Sequence, residues 1–330
     1  MKIKISAISY HLPEAVEGVE TLQRDNPDWD MPKILDKTGI LNRYISTAGE
    51  TAVDLAFAAG KKLLGTIPNI EEIDLLILVT QSSDYVLPTS ACILQDRLGL
   101  PKNCMAFDVN LGCSGFVYAL SIAGSLIESG VARKGLILCA DTYTKYIGKN
   151  DRTCRPLFSD GAAATLVESS ATDDMGPFEL GTDGAGYDRL IVKHGGARES
   201  DRKADQVAAA CRGSLEMSGS DVFLFTMRVV PPCINKLLDR TGLTLENIDL
   251  FVFHQASKLV IENLIRTLSL DKDKVFTNFE NIGNTVSASI PIALKDADTQ
   301  GRLKEGDTVM LVGFGVGLSW GATLIRWSTT

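Results

Sequence analysis

Apolar positions along this chain fall into short runs and helical stripes that alternate, and the alternation happens twice. Residues 75–79 form an apolar run suited to a buried strand. Pro88, then Cys92, Ile93, Leu94, Arg97 and Leu98, predicts a helix with proline near its first turn. Residues 104–107 read as another strand. A helix through Phe116, Val117, Leu120 and Ile127 follows Gly112-Cys113 and is ended by Gly130. Residues 136–140 form the next buried strand. The second half repeats this order. Residues 250–253 predict a strand, and Leu259, Val260, Asn263, Leu264 and Thr267 keep helical spacing. A strand is expected at 275–277, a turn at Gly283-Asn284, and a helix over 290–297, where Pro291 fits only if the helix starts late. Residues 309–313 close the set, and Met1 to Ile5 alternate like a strand. Strands alternating with helices argue for an α/β fold.

The repetition extends to motifs. Asn110-Leu111-Gly112-Cys113-Ser114 is echoed by Asn281-Ile282-Gly283-Asn284-Thr285, and Glu72-Ile73-Asp74-Leu75-Leu76-Ile77-Leu78 by Asn247-Ile248-Asp249-Leu250-Phe251-Val252-Phe253. This pattern implies an internal duplication. The connecting stretch 169–212 is richer in Gly, Asp and Arg and reads as surface structure. The expected halves are 1–172, carrying the thiol turn, and 173–330, carrying His254 and Asn284. No stretch between them looks like a flexible linker, so the halves are expected to share one packed interface.

The net charge of −8 argues against nonspecific nucleic-acid binding. No apolar stretch reaches the ~18 residues of a membrane-spanning helix, and the N-terminus lacks the apolar region of a signal peptide. A soluble cytoplasmic protein is the expectation. The seven cysteines are Cys92, Cys104, Cys113, Cys139, Cys154, Cys211 and Cys233, with no C-x-x-C pair. With three histidines in the chain, a zinc cluster has little support, and no metal is expected. Most of these thiols read as small buried hydrophobes.

Cys113 is the exception. It follows Gly112 and opens a helix, where free N–H groups and the positive dipole end favour a thiolate. Gly112, Ser114 and Gly115 leave room for an acyl group. His254 leaves a buried strand at its carboxyl end, where α/β folds place ligands. His11 and His194 have no comparable setting. Asn284 stands where the other half has Cys113. A thiol, an imidazole and an amide suit an acyl-enzyme and the stabilisation of an enolate on a thioester. Gly313-Phe314-Gly315-Val316-Gly317 follows a strand. Its spacing is wrong for a dinucleotide fingerprint, and a turn offering an N–H to an oxyanion is the better reading.

Together these residues resemble the thiolase superfamily, and within it the β-ketoacyl-ACP synthase III-like enzymes. The likeness runs through Asp108-Val109 to Cys113-Ser114-Gly115-Phe116, Phe158-Ser159-Asp160-Gly161-Ala162, His254-Gln255-Ala256, Gly283-Asn284-Thr285 with Ser289-Ile290-Pro291, and Gly315 with Trp320-Gly321. It implies a five-layered αβαβα fold, a homodimer, and decarboxylative condensation of an acyl-enzyme with a malonyl thioester. Cys113, His254 and Asn284 would be catalytic, and the N–H groups of Cys113 and Val316 would form the oxyanion hole. Coenzyme A and phosphopantetheine thioesters would be substrates, with an acyl carrier protein as partner and no cofactor. Substrate contacts would come from Lys37, Thr38, Arg152, Met217, Gly219, Val222, Phe223, Ala256 and Ser257. Leu87 would close the partner subunit's acyl pocket. The chain departs from the family at Lys37 (usually Arg), Ser257 (Asn) and Leu259 (Arg). Lys33 falls where the adenine-stacking Trp is expected, with Trp29 near. These departures favour a relative serving an unusual acyl chain or a secondary metabolite. Two other readings share the site: acyl transfer from Cys113 to an amine or alcohol with His254 as base, and a silent subunit paired with an active homologue.

Overall fold

The computed structural model describes residues 1–198 and 214–328. Its strands are β1 (Ile3–His11), β2 (Ala15–Gly18), β3 (Asn42–Ile45), β4 (Leu75–Val79), β5 (Met105–Val109), β6 (Lys134–Asp141), β7 (Gly161–Ser169), β8 (Met175–Thr182), β9 (Leu190–Val192), β10 (Leu215–Met217), β11 (Leu250–Phe253), β12 (Thr308–Gly315) and β13 (Ser319–Arg326). One sheet has the order β1-β7-β6-β4-β5 and the other β11-β12-β13-β8. In the first, β4 runs parallel to β5 and β6, while β7 and β1 are antiparallel additions. In the second, β11 runs parallel to β12, and β13 and β8 are antiparallel additions. A single parallel bridge from Phe251 to Val275 occupies the place that β5 has in the first sheet. The two sheets are therefore the same arrangement made twice.

Five layers result. Helices Gly115–Glu128 and Ser289–Thr299 lie between the sheets, where Phe116, Leu120, Ile290 and Leu294 share one core with Ile77, Ile137 and Leu311. Helices Ala52–Leu64 and Ser90–Arg97 cover the outer face of the first sheet through Leu55, Leu63 and Leu94. Helices Gly219–Thr241 and Lys258–Leu268 cover the second through Ile234, Leu237 and Leu264. Strands β4 and β11 are buried along their whole length, as parallel strands covered on both faces must be. Their sequences accordingly read as continuous apolar runs.

Three expectations change. The strand expected at 275–277 shrinks to the one bridge at Val275. The helix expected from residue 290 begins at Ser289, and Pro291 sits in its first turn, where a missing N–H has no partner to lose. The stretch 169–212 is more than surface structure in its described part. It contains β8, which pairs along β13 with Met175 buried. Only Met175 of this strand is buried, so its apolar pattern is weak. Cys211 lies outside the described residues.

Candidate active site

The thiol turn is built by close approach. Gly112-Cys113 leaves β5, and Ser114 is the cap residue of the helix that begins at Gly115. A Cβ on Gly315 would lie 2.9 Å from the Cys113 Cβ and Sγ, and one on Gly313 2.8 Å from the Cys113 carbonyl oxygen. A Cβ on Gly112 would lie 2.7 Å from Val316 Cγ1. Glycine at all three positions lets the end of β12 touch the turn. The hydroxyls of Ser114 and Ser319, 2.7 Å apart, close the same contact between halves. The glycine-rich segment thus brings Val316 against the thiol turn, where its backbone N–H and that of Cys113 both favour the thiolate form.

These donors do not produce a thiolate in the free protein. Cys113 is 4% exposed. Burial, aided by the nearby Asp141 carboxylate, pushes its thiol up to about 12 and outweighs the two N–H groups. The expectation of a lowered value rested on the helix end alone. Sequence shows the helix end but not how deeply the sulfur is enclosed.

His254 follows the last residue of β11, and its backbone N–H donates to the Val312 carbonyl at 2.8 Å. Its Nδ1 lies 2.6 Å from Ser289 Oγ, at the first residue of the central helix. The edge of Phe314 packs against the ring. The imidazole is 2% exposed, and burial lowers its pKa to about 3, so it is neutral across the working range. Gln255 serves the backbone: its amide donates to the Phe253 carbonyl and accepts from the Asn278 N–H.

Asn284 follows Gly283, whose φ of +79° is a conformation that a side chain resists. Its backbone bridges to Phe158, with N–H to the Leu157 carbonyl at 3.0 Å and C=O from the Ser159 N–H at 2.9 Å. Its side-chain Oδ1 accepts the Val286 N–H at 3.0 Å. Only the amide oxygen can face a backbone donor, so the NH2 remains for another partner. Arg43, buried at 2%, holds this region from behind by donating to the Phe158 carbonyl at 2.9 Å.

A cavity of about 820 Å³ brings Cys113, His254 and Asn284 together. Lys37, Thr38, Arg152, Met217, Gly219, Val222, Phe223, Ala256 and Ser257 line the same space, so the predicted substrate contacts converge on the triad. Lys33 and Leu259 line it too. Ser257 also caps its helix by accepting the Val260 N–H. Trp29 packs instead against the cluster of Leu22, Met31 and Ile34. Leu87 is elsewhere, on the surface with Tyr85 and Val86, and is 79% exposed. Sequence reasoning missed Ser289 as the partner of His254. It also missed Asp141, whose one signal was a charge ending an apolar strand. Among the described residues no group of three or more His, Cys, Asp or Glu is arranged for a metal, and no helix is long and apolar enough to cross a membrane.

Comparison with known proteins gives a consistent result. Residues 107–184 match the family profile for 3-oxoacyl-[acyl-carrier-protein (ACP)] synthase III, and residues 238–327 match its C-terminal profile. The β-ketoacyl-[acyl-carrier-protein] synthase III of Clostridioides difficile (strain 630) is 37% identical over 331 residues, covering 99% of each chain. That of Clostridium perfringens (strain ATCC 13124) is 39% identical over 328 residues, covering 98% of each. A crystal structure of a 3-oxoacyl-(acyl-carrier-protein) synthase III superposes with a TM-score of 0.94 at 43% identity, over 99% of this chain and 100% of that one.

Proposed function

The chain belongs to the 3-oxoacyl-[acyl-carrier-protein] synthase III family, acyltransferases that carry out condensation in fatty acid biosynthesis, and from that premise we propose how its own residues perform the reaction. One observation carries the proposal: Cys113, His254 and Asn284 open into a single cavity. Cys113 Sγ attacks the carbonyl of an acyl-CoA. The carbonyl oxygen becomes an oxyanion, received by the N–H groups of Cys113 and Val316. Collapse forms the Cys113 thioester, and coenzyme A leaves with the thiol proton. Stabilising the oxyanion in a dry site lets a thiol of high pKa serve, because the charge need not rest on sulfur in the free protein.

A malonyl thioester then enters the same cavity, and its thioester oxygen accepts from His254 Nε2–H and Asn284 Nδ2–H. The first donor requires the Ser289 hydroxyl to donate to Nδ1, which sets the tautomer. Breaking the C–C bond to the carboxylate releases CO2 and leaves an enolate. The enolate carbon attacks the Cys113 thioester carbonyl, the C–S bond breaks to expel the Cys113 thiolate and free a 3-oxoacyl thioester, and the thiolate takes a proton from water. A His254 held neutral by burial suits a hydrogen-bond donor and makes a poor general base. This disfavours transfer to an amine or alcohol. The intact triad disfavours the silent subunit.

Lys37, Thr38 and Arg152 would receive coenzyme A phosphates, and Met217, Val222 and Phe223 the pantetheine arm. The acyl carrier protein's phosphopantetheine would use the same channel, with no metal or redox group involved. The departures at Lys37, Ser257 and Leu259 support an unusual acyl donor. We take the two halves as meeting near residue 172. The buried free thiols accord with a reducing cytoplasm, and the exposed Tyr85-Val86-Leu87 with a homodimer. Intact-protein mass spectrometry after incubation with acyl-CoAs tests the core of the reading. One acyl mass should appear on the parent protein, be absent from Cys113→Ala, and be released with CO2 by a malonyl thioester. A stable adduct that malonyl thioesters never discharge would overturn condensation.

A further inference from the structure

A buried carboxylate that the reaction does not use sits behind the triad. Asp141 ends β6, is fully buried, and its hydrogen-bond partners are neutral. One oxygen, Oδ1, accepts the Gln81 N–H at 2.8 Å. Gln81 packs against Gly112 in the thiol turn and accepts the Tyr143 hydroxyl at 2.5 Å. The other oxygen, Oδ2, accepts both the Ser287 N–H at 3.2 Å and the Ser287 hydroxyl at 2.5 Å. Burying a carboxylate is costly unless several donors meet it. Here the donors come from two elements, one beside Cys113 and one beyond Asn284.

Between Asn284 and Ser287 lies a strained residue. Val286 is fully buried and has φ +55°, a left-handed conformation that a β-branched side chain adopts only when its surroundings enforce it. The N–H of this residue donates to Asn284 Oδ1 at 3.0 Å. The grip on Ser287, one residue on, fixes the far side of the strained link. The duplication sharpens the point. Strands β6 and β12 hold equivalent places in their sheets. Gly315 ends β12 against Cys113, and Asp141 ends β6 against the turn that carries Asn284.

We propose that Asp141 is a positioning residue for condensation: by gripping Ser287 it holds Val286 in its strained conformation, and Val286 in turn orients the Asn284 amide toward the malonyl thioester. Asp141 touches no reacting atom; its grip on Ser287 is the link to the step that uses Asn284, and its grip on Gln81 faces the thiol turn. The proposal rests on the role given to Asn284 above.

The test separates the two half-reactions. Acyl-enzyme formation is followed by intact mass, and CO2 release from a malonyl thioester is followed on the pre-acylated enzyme. Asp141→Asn and, independently, Ser287→Ala should slow CO2 release between about 10- and 100-fold, the scale of a misplaced reactive geometry. Acylation by Ser287→Ala, which leaves the Gln81 contact in place, should stay within about 3-fold of the parent. Adding Asp141→Asn to Asn284→Ala should cause no further loss, because the two act through one amide. Val286→Gly, which accepts φ +55° without strain, should restore much of the rate to Asp141→Asn. Additive losses in the double variant, or equal losses in both half-reactions with Ser287→Ala, would overturn the positioning role while leaving the site reading intact. Unchanged CO2 release in Asn284→Ala would instead overturn the site reading, and this inference with it.

Discussion

His254 shows how far burial alone can set the state of a candidate catalytic group. Its folded pKa is about 3 against an ordinary 6.5, so below pH 6.5 the unfolded chain takes a proton that the folded one refuses. Its contribution to stability is complete above pH 6.5 and is lost as pH falls toward 3. Asp141 works the other way. Burial, opposed by the Ser287 and Gln81 donors, raises it from 3.8 to about 7. Its contribution is complete below pH 3.8 and is lost as pH rises through 7. The two oppose each other between 3.8 and 6.5, which flattens the acid side of the stability curve. Replacing His254 with Gln removes one of them. Between pH 7 and pH 5 that variant should gain stability over the parent on the order of 2 kcal/mol, read from melting curves at the two pH values. Catalysis should show no acid limb belonging to His254, since the ring stays neutral where the enzyme is active.

The small two-stranded ribbon of β2 and β3 is the element that braces the amide turn, and it is held by ion pairs. Glu17 meets both Arg43, at 2.6 Å, and Arg155, while Arg155 also reaches Asp25 at 2.7 Å. Arg43 spans from Glu17 to the Phe158 carbonyl, next to the bridge to Asn284. Removing the shared anion would strand a buried cation. Glu17→Gln should therefore lower stability by about 3–5 kcal/mol, measured by urea titration. None of this was legible in the sequence. Arg43 and Arg155 are 112 positions apart, and their meeting depends on a fold that periodicity does not specify. By contrast, Leu75–Val79 and Leu250–Phe253 were readable because full burial leaves an unbroken apolar run. Cys113, His254 and Asn284 were readable because each ends or follows such a run at a glycine or a strand end. Strand β8 was hidden because Met175–Thr182 is only partly buried and so carries a weak pattern. Asp141 was hidden because one aspartate after a strand is ordinary until its partners are known.

At the scale of the molecule, the exposed row of Tyr85, Val86 and Leu87 is apolar where a lone subunit would be expected to be polar, with Val86 88% exposed. If it enters a second copy, Leu87→Asp should shift the protein from dimer to monomer in sedimentation and weaken acylation with it. A change in neither would leave the row without that role. The matched sheets carry a further consequence, for assembly history. Two corresponding turns meet at one cavity, and one bears sulfur while the other bears an amide. Two identical half-length chains joined by a two-fold axis could not do this, because symmetry would place the same side chain in both turns. Such a pair would present two thiols or two amides, never one of each. Joining the halves in one chain breaks that symmetry and lets each turn vary alone. The difference between Cys113 and Asn284 is thus tied to the covalent continuity of the backbone.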